Sequence, residues 1–358
     1  MPSKNRLFQK LRARFKARAQ DYGMAALEVF LSAAIGFLAG AIALLVLGYD
    51  PLKVYEVLFS WGYTDVGYLL LKSTPLILTA IAFSIPALAG VFNIGGESQL
   101  YVGALLGLLV AYYIHNAPLA IIVAILGGAG LGLFIALLRV YRGINEVITA
   151  IMVNWIMYWL LAYLVTGPFN NPKLPQQSVP VPKSAQIPVF NIGGVNIAGS
   201  FILAVIGALV IYYIVFYTET GYIMRVSGLS PATAKYAGFS PEKAILTSML
   251  IGGAAAGFGG ALLVLGDVHS IDTTLSAVYG LGFTGIGIGL LGRNNPIGII
   301  FAAIFFSGLL IGGQYVELFL NAPPNLSDFL IGVIVIALSI PYAYRFIISW
   351  IKRRRMAK

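Results

Sequence analysis

Thr218 to Lys243 reads TETGYIMRVSGLSPATAKYAGFSPEK, a polar interval in a chain that is apolar almost everywhere else. Ser230 followed by Pro231 reads as an N-cap and first helical position, because proline has no N–H to lose there. Gly238 stops the helix about two turns later. Ser240 and Pro241 repeat the start signal, and Glu242 falls in the first turn of the next helix, where the dipole favours a carboxylate. Between the two starts lie Ala232, Thr233, Ala234, Lys235, Tyr236 and Ala237, small or adaptable residues. The pattern predicts a short helix, punctuated at both ends and set between two long apolar segments. Such a helix outside a membrane has the shape for a groove on a soluble partner. A tidy interfacial turn would carry the same caps.

Outward from this interval the composition decides the class. Of 358 residues, 59% are hydrophobic and 10% charged, the balance of a polytopic membrane protein. The 41 glycines suit close helix packing in lipid. With no cysteine there are no disulfides, thiolate chemistry or Cys-based metal sites. Apolar segments near the ~20 residues needed for a crossing are expected at 25–47, 68–90, 98–114, 119–138, 147–166, 200–217, 244–265, 275–291, 296–316 and 326–348. The fold class is therefore all-α, with about ten spans. Segments 98–114 and 275–291 are short enough to be tilted, broken or re-entrant. No cleaved signal is expected, since the first apolar run begins near Met24, after a long basic segment, and is long enough to span.

The charges orient the bundle. With both termini inside, nineteen of the 23 Lys and Arg fall on the inner side, and only Lys53, Lys72, Lys173 and Lys183 fall outside. Residues 1–23 form a basic amphipathic cytoplasmic segment, 24–349 the transmembrane domain and 350–358 a basic cytoplasmic tail. Loop 218–243 is then cytoplasmic. The basic N-terminus reads as a membrane-surface segment, not a nucleic-acid site. The outer loop 167–199 holds six prolines and is expected to be extended and stiff. It is a connector or a docking surface for a delivery protein.

Irregular backbone at membrane depth must be buried in protein or face a wet cavity. Two stretches have that composition. In Gly90–Gly103, Asn93, Glu97, Ser98 and Gln99 gather around Gly95 and Gly96. In Gly280–Gly292, GLGFTGIGIGLLG, six glycines accompany one polar side chain, Thr284. Tight helix packing is the commoner use of such glycines, and an unwound segment presenting carbonyls is the other. Asn145 can cap the fifth span, with Glu146 in its first turn; Glu97 and Glu146 both fall near cytoplasmic helix ends, where a carboxylate is cheap. The candidate substrate path is Asn93, Glu97, Gln99, Asn154, Trp155, Tyr158 and Thr284: amides for hydrogen bonds, rings for stacking. Asp267, His269 and Asp272 cluster at the outer end of the seventh span and read as a solvated rim before a metal site. No phosphate loop, GxSxG elbow or HExxH pair occurs, so no catalytic residue and no bound ATP are expected in this chain. No mid-span carboxylate pair suits an ion-coupled carrier.

GVFNIGGESQLYVGALLG (Gly90–Gly107), GINEVITAIMVNW (Gly143–Trp155) and SGLSPATAKYAGFSPEKA (Ser227–Ala244) resemble the permease subunits of ABC importers. The family is the branched-chain amino acid, ribose and simple-sugar permease superfamily, and within it the bacterial nucleoside permeases that work with a BMP-family lipoprotein. The resemblance implies an importer permease fold in the bacterial plasma membrane, without cofactors. It implies a second permease, a cytoplasmic ATPase with two nucleotide-binding halves and an extracytoplasmic binding lipoprotein. Ser230–Gly238 would be the coupling helix in the ATPase groove, and the GGESQ and INEVI stretches would lie near the path. Nucleosides are the expected substrates, with a simple sugar such as a pentose the nearest alternative. A stand-alone secondary carrier and a scaffold without transport are the readings outside the family.

Overall fold

Polar caps and prolines set the helix starts in the computed structural model, which describes residues 34–339. The basic segment 1–23, the tail 350–358, and parts of the first and last expected spans lie outside the described residues. The helices are α1 (Ala34–Val46 as described), α2 (Pro51–Gly62), α3 (Val66–Leu88), α4 (Gly96–Ile114), α5 (Ala117–Arg142) and α6 (Glu146–Thr166). After two hairpins come α7 (Gly199–Tyr217), α8 (Glu219–Leu229), α9 (Pro231–Tyr236) and α10 (Pro241–Leu263). The last are α11 (Leu281–Leu291), α12 (Pro296–Leu320) and α13 (Pro324–Ser339). Asp65, Asn116 and Asn145 cap α3, α5 and α6 by accepting from the backbone N–H of Tyr68, Leu119 and Val147.

Among the described residues, seven helices are long and apolar enough to cross a membrane: α3, α4, α5, α6, α7, α10 and α12. Segment 98–114 proves to be a nineteen-residue helix, about 28 Å long at 1.5 Å per residue. Segment 275–291 does not form one span. Turns run to Gly280, and α11 has eleven residues, about half a bilayer. The sequence reading also missed α2, whose apolar positions are interrupted by Lys53 and Glu56.

The chain divides into two compact units, 58–315 and the flanking segments. In the flanking unit, Tyr55 donates to the Phe37 carbonyl at 2.6 Å and meets the Phe37 ring edge-on. In the larger unit, α3 and α10 are enclosed while α6 and α7 expose most of their length. α5 and α10 cross with almost nothing between their backbones. A Cβ at Gly257 would come within 2.3 Å of the Ala124 carbonyl oxygen, and one at Gly253 within 2.3 Å of that of Gly128. Without hydrophobic attraction between helices in lipid, such close approach supplies the van der Waals contact that holds them.

The Pro-rich loop 167–199 is not simply extended. It folds into two antiparallel hairpins, β1 (Asn170–Asn171) with β2 (Leu174–Ser178) and β3 (Val189–Ile192) with β4 (Val195–Ala198). Gly193 and Gly194, both at positive φ, make the two-residue turn that closes the second. Five of its six prolines fall in turns and connections, and Pro175 is the second residue of β2.

Candidate functional site

The polar run after α3 folds back into the helix bundle. α4 starts at Gly96 beside Ala82, not beside the end of α3: a Cβ at Gly96 would lie 3.8 Å from that of Ala82. Asn93 fastens the turn by donating to the Ala82 carbonyl (2.9 Å) and to Gln99 Oε1 (3.2 Å) while accepting from Gly95 N–H (3.0 Å). Asn154 fastens it from α6. Its Oδ1 accepts from Ser98 N–H and its Nδ2 donates to the Ile94 carbonyl, both at 3.1 Å. Asn93, Gln99 and Asn154 are all buried, with their amides committed to this turn.

Glu97 does not sit at a cheap, solvated helix end as the sequence suggested. It is 1% exposed and follows Gly96, which meets α3 at Ala82, because the turn before it has climbed back along that helix. A buried carboxylate is costly unless its lone pairs are filled. Here Tyr101 O–H donates to Oε1 at 2.6 Å, Gly280 N–H to Oε1 at 2.5 Å, Gly282 N–H to Oε2 at 2.6 Å and Phe283 N–H to Oε2 at 3.3 Å. Three of these donors are the orphan N–H groups at the start of α11, whose dipole also favours the charge. Thr284 donates back to the Gly280 carbonyl at 2.9 Å. Gly282, Gly285 and Gly289 let α11 lie against α4 and α3; a Cβ at Gly282 would be 2.3 Å from Glu97 N.

Tyr101 connects this knot to an aromatic cluster. Tyr158 on α6 packs against Tyr101 at 6.3 Å, Tyr279 at 5.7 Å, Trp155 at 5.7 Å and Trp159 at 5.2 Å between ring centroids. Upstream, the segment entering α11 is bonded to the first hairpin: Ser178 N–H to the Ile271 carbonyl (2.8 Å), Val181 N–H to the His269 carbonyl (2.7 Å) and Thr273 N–H to the Gln176 carbonyl (3.0 Å). Asp267, in a π-turn at Val264–Val268, pairs with Lys72 at 2.7 Å and is largely buried, so it is not part of a solvated rim. Among the described residues no group of three His, Cys, Asp or Glu is placed to hold a metal.

The capped interval forms as the sequence predicts. Ser230 Oγ accepts from Thr233 N–H at 3.3 Å, Pro231 opens α9, and Gly238 leaves it at φ +83°. Ser240 caps α10 through Lys243 N–H, and Lys235 pairs with Glu242 at 3.0 Å, bracing α9 on the next helix. The helix has two faces. Ala234 is fully buried against the chain itself, whereas Tyr236 is 95% exposed, as is most of Leu229 at the end of α8 just before it.

With this geometry in place, comparison with known proteins gives the family. The family described as branched-chain amino acid transport system / permease component matches residues 66–339. This chain belongs to that permease family. Among similar proteins is the guanosine ABC transporter permease protein NupP of Bacillus subtilis, 30% identical over 89% of this chain and 94% of the relative. The nucleoside ABC transporter permease protein NupB of Lactococcus lactis is 34% identical over 77% and 80%. The glucose ABC transporter permease protein TsgB13 of Haloferax volcanii is 31% identical over 88% and 87%. No solved structure matches the chain. It is thus a multi-pass protein of the plasma membrane and a permease component of an ABC transport system, a subunit not itself catalytic.

Within this permease the expected path residues separate. Asn93, Gln99 and Asn154 hold the re-entrant turn, Glu97 holds α11, and Thr284 is half-buried in the first turn of α11. Trp155 and Tyr158 sit in the aromatic cluster, Trp155 half exposed. Asn145 caps α6 as expected, and Glu146 pairs with Arg139, tying the ends of α5 and α6 together. The sequence reading missed Tyr101 and Tyr279. Tyr101 stands four residues after Glu97, one helical turn on the same face, and that spacing was the available signal. Tyr279 gave none.

Proposed function

We propose that this chain is a membrane-spanning subunit of an ATP-driven nucleoside importer. About ten spans with both termini inside would place α9 in the cytoplasm, which the distribution of Lys and Arg favours. A separate ATPase with two nucleotide-binding halves would receive α9, with Tyr236 and, at the end of α8, Leu229 as exposed apolar contacts. ATP-driven closure of that partner would move α9, and the helix bundle would switch the side to which its cavity opens. A second permease is expected, because relatives occur as pairs: NupP with NupQ in B. subtilis and NupB with NupC in L. lactis. An extracytoplasmic lipoprotein would deliver the substrate. The division into 1–23, 24–349 and 350–358 belongs to the same reading.

The observation that carries the substrate class is the similarity, over most of the chain, to two permeases described as guanosine and nucleoside transporters. The cluster of rings around Tyr158 is compatible with it. One observation favours a sugar: the glucose permease relative is equally similar over a comparable length. Uptake of labelled guanosine by proteoliposomes holding the complete complex, with ribose and glucose as competitors, separates the two. Guanosine uptake that needs ATP and resists both sugars is expected. Uptake of glucose alone would overturn the nucleoside reading.

A further inference from the structure

Tyr279 stands at an unusual place. It is the last residue before Gly280, on backbone that is not helical, next to the N-terminus of a helix only half a bilayer long. Its neighbours fix the depth. Gly280 and Gly282 bond to Glu97, and a Cβ at Gly285 would lie 2.7 Å from the Thr79 backbone, past the midpoint of the 23-residue α3. Irregular backbone at that depth is stable only inside protein or beside a wet cavity. Yet the Tyr279 ring is 53% exposed and that of Phe283, one turn on, is 44% exposed. By this argument, Tyr279 does not face lipid. In other transporter folds, broken helices of this kind line the substrate path.

We propose that Tyr279, with Trp155, is the aromatic face on which the base of a nucleoside stacks as it crosses. This deepens the nucleoside reading above and rests on it. One ring packs on it, and the backbone beside it is fixed. Tyr158 packs on it at 5.7 Å and also carries Trp155 at the same separation. Glu97 grips the next residue's N–H, and Tyr101 braces both Glu97 and Tyr158. A pre-positioned ring costs little entropy to use, and stacking accepts every base because each has a π-face. A heteroaromatic base presents a full π-face to the ring.

The test uses the complete transporter with its delivery protein. That protein would set the half-saturation concentration, so the readout is turnover. Tyr279→Leu should lower guanosine turnover about tenfold with KM unchanged, uridine turnover less because its ring is smaller, and Tyr279→Phe should stay near wild type. Assembly, followed by gel filtration of the complex, should be the same for all. If Tyr279→Leu keeps wild-type turnover, or lowers guanosine and uridine equally, the stacking role is wrong while the nucleoside reading stands. A Tyr279→Phe loss as large as the Leu loss would also overturn it, since the hydroxyl would then be the working group. A wild-type complex that carries no nucleoside sinks both proposals together.

Discussion

α9 and α11 are both short helices that interrupt a run of membrane spans, and they are started by opposite means. The six-residue α9 is capped by Ser230, three residues from the N–H it satisfies, and braced by Lys235 on Glu242. The first turn of α11 has no side-chain cap of its own; its cap is Glu97, more than 180 residues away. A locally capped helix can shift as a unit without exposing its ends. A helix capped from across the bundle cannot leave without orphaning both partners. One is therefore suited to carrying movement, the other to holding one part of the bundle in place.

The strongest way to break this contrast is at Gly282. Gly282→Val puts a Cβ where Glu97 backbone now stands, 2.3 Å from its nitrogen. Neither backbone can yield, so α11 should separate from α4 and the protein should fail to accumulate in the membrane, read by immunoblot. Normal accumulation would mean that α11 is not locked to Glu97. Glu97→Ala is next. It leaves the Tyr101 hydroxyl and three backbone N–H groups buried without an acceptor, each costing about 1–3 kcal/mol. A marked fall in the unfolding temperature of the detergent-solubilised protein is expected, and Glu97→Gln, which keeps one acceptor oxygen, should fall less. Equal losses for the two variants would show that volume, not the carboxylate, holds the helix.

The contrast also explains what could be read from the chain. Ser230, Pro231, Gly238 and Ser240 act within three or four residues of themselves, so their pattern is visible in any short window. So is Asn145, which caps α6 two residues on. Glu97 looked inexpensive because only its own helix could be seen. That it bonds to residues 280–283 depends on the chain folding back between α3 and α4, a long-range fact that no local spacing encodes. Asn154 misled in the same way: two turns into a span it resembles a lining residue, but its amide is spent on Ile94 and Ser98. The glycines of α11 were legible as packing, while the turns before them were hidden in an apolar run that looks continuous.

A smaller effect sharpens the α9 side. Ser230→Ala removes one cap and should cost about 1 kcal/mol, felt locally as faster amide exchange at Thr233 and little elsewhere. Protection lost across α10 as well would mean that α9 is not an independent unit. The smallest effect on the fold should come from Tyr236. Its ring is almost wholly exposed, so Tyr236→Ala removes nothing that this chain buries, and stability should change by less than about 0.5 kcal/mol. A ring left out at the end of a braced helix is nevertheless a large apolar surface for a partner to cover. Co-purification of the ATPase with Tyr236→Ala should therefore drop severely while the permease itself stays intact. Ala234→Arg would make a poor substitute, because Ala234 faces inward and the change would disturb this chain first. If the ATPase is retained in full by Tyr236→Ala, the exposed face of α9 is not where movement enters, and the division of labour between the two short helices fails at its outer end.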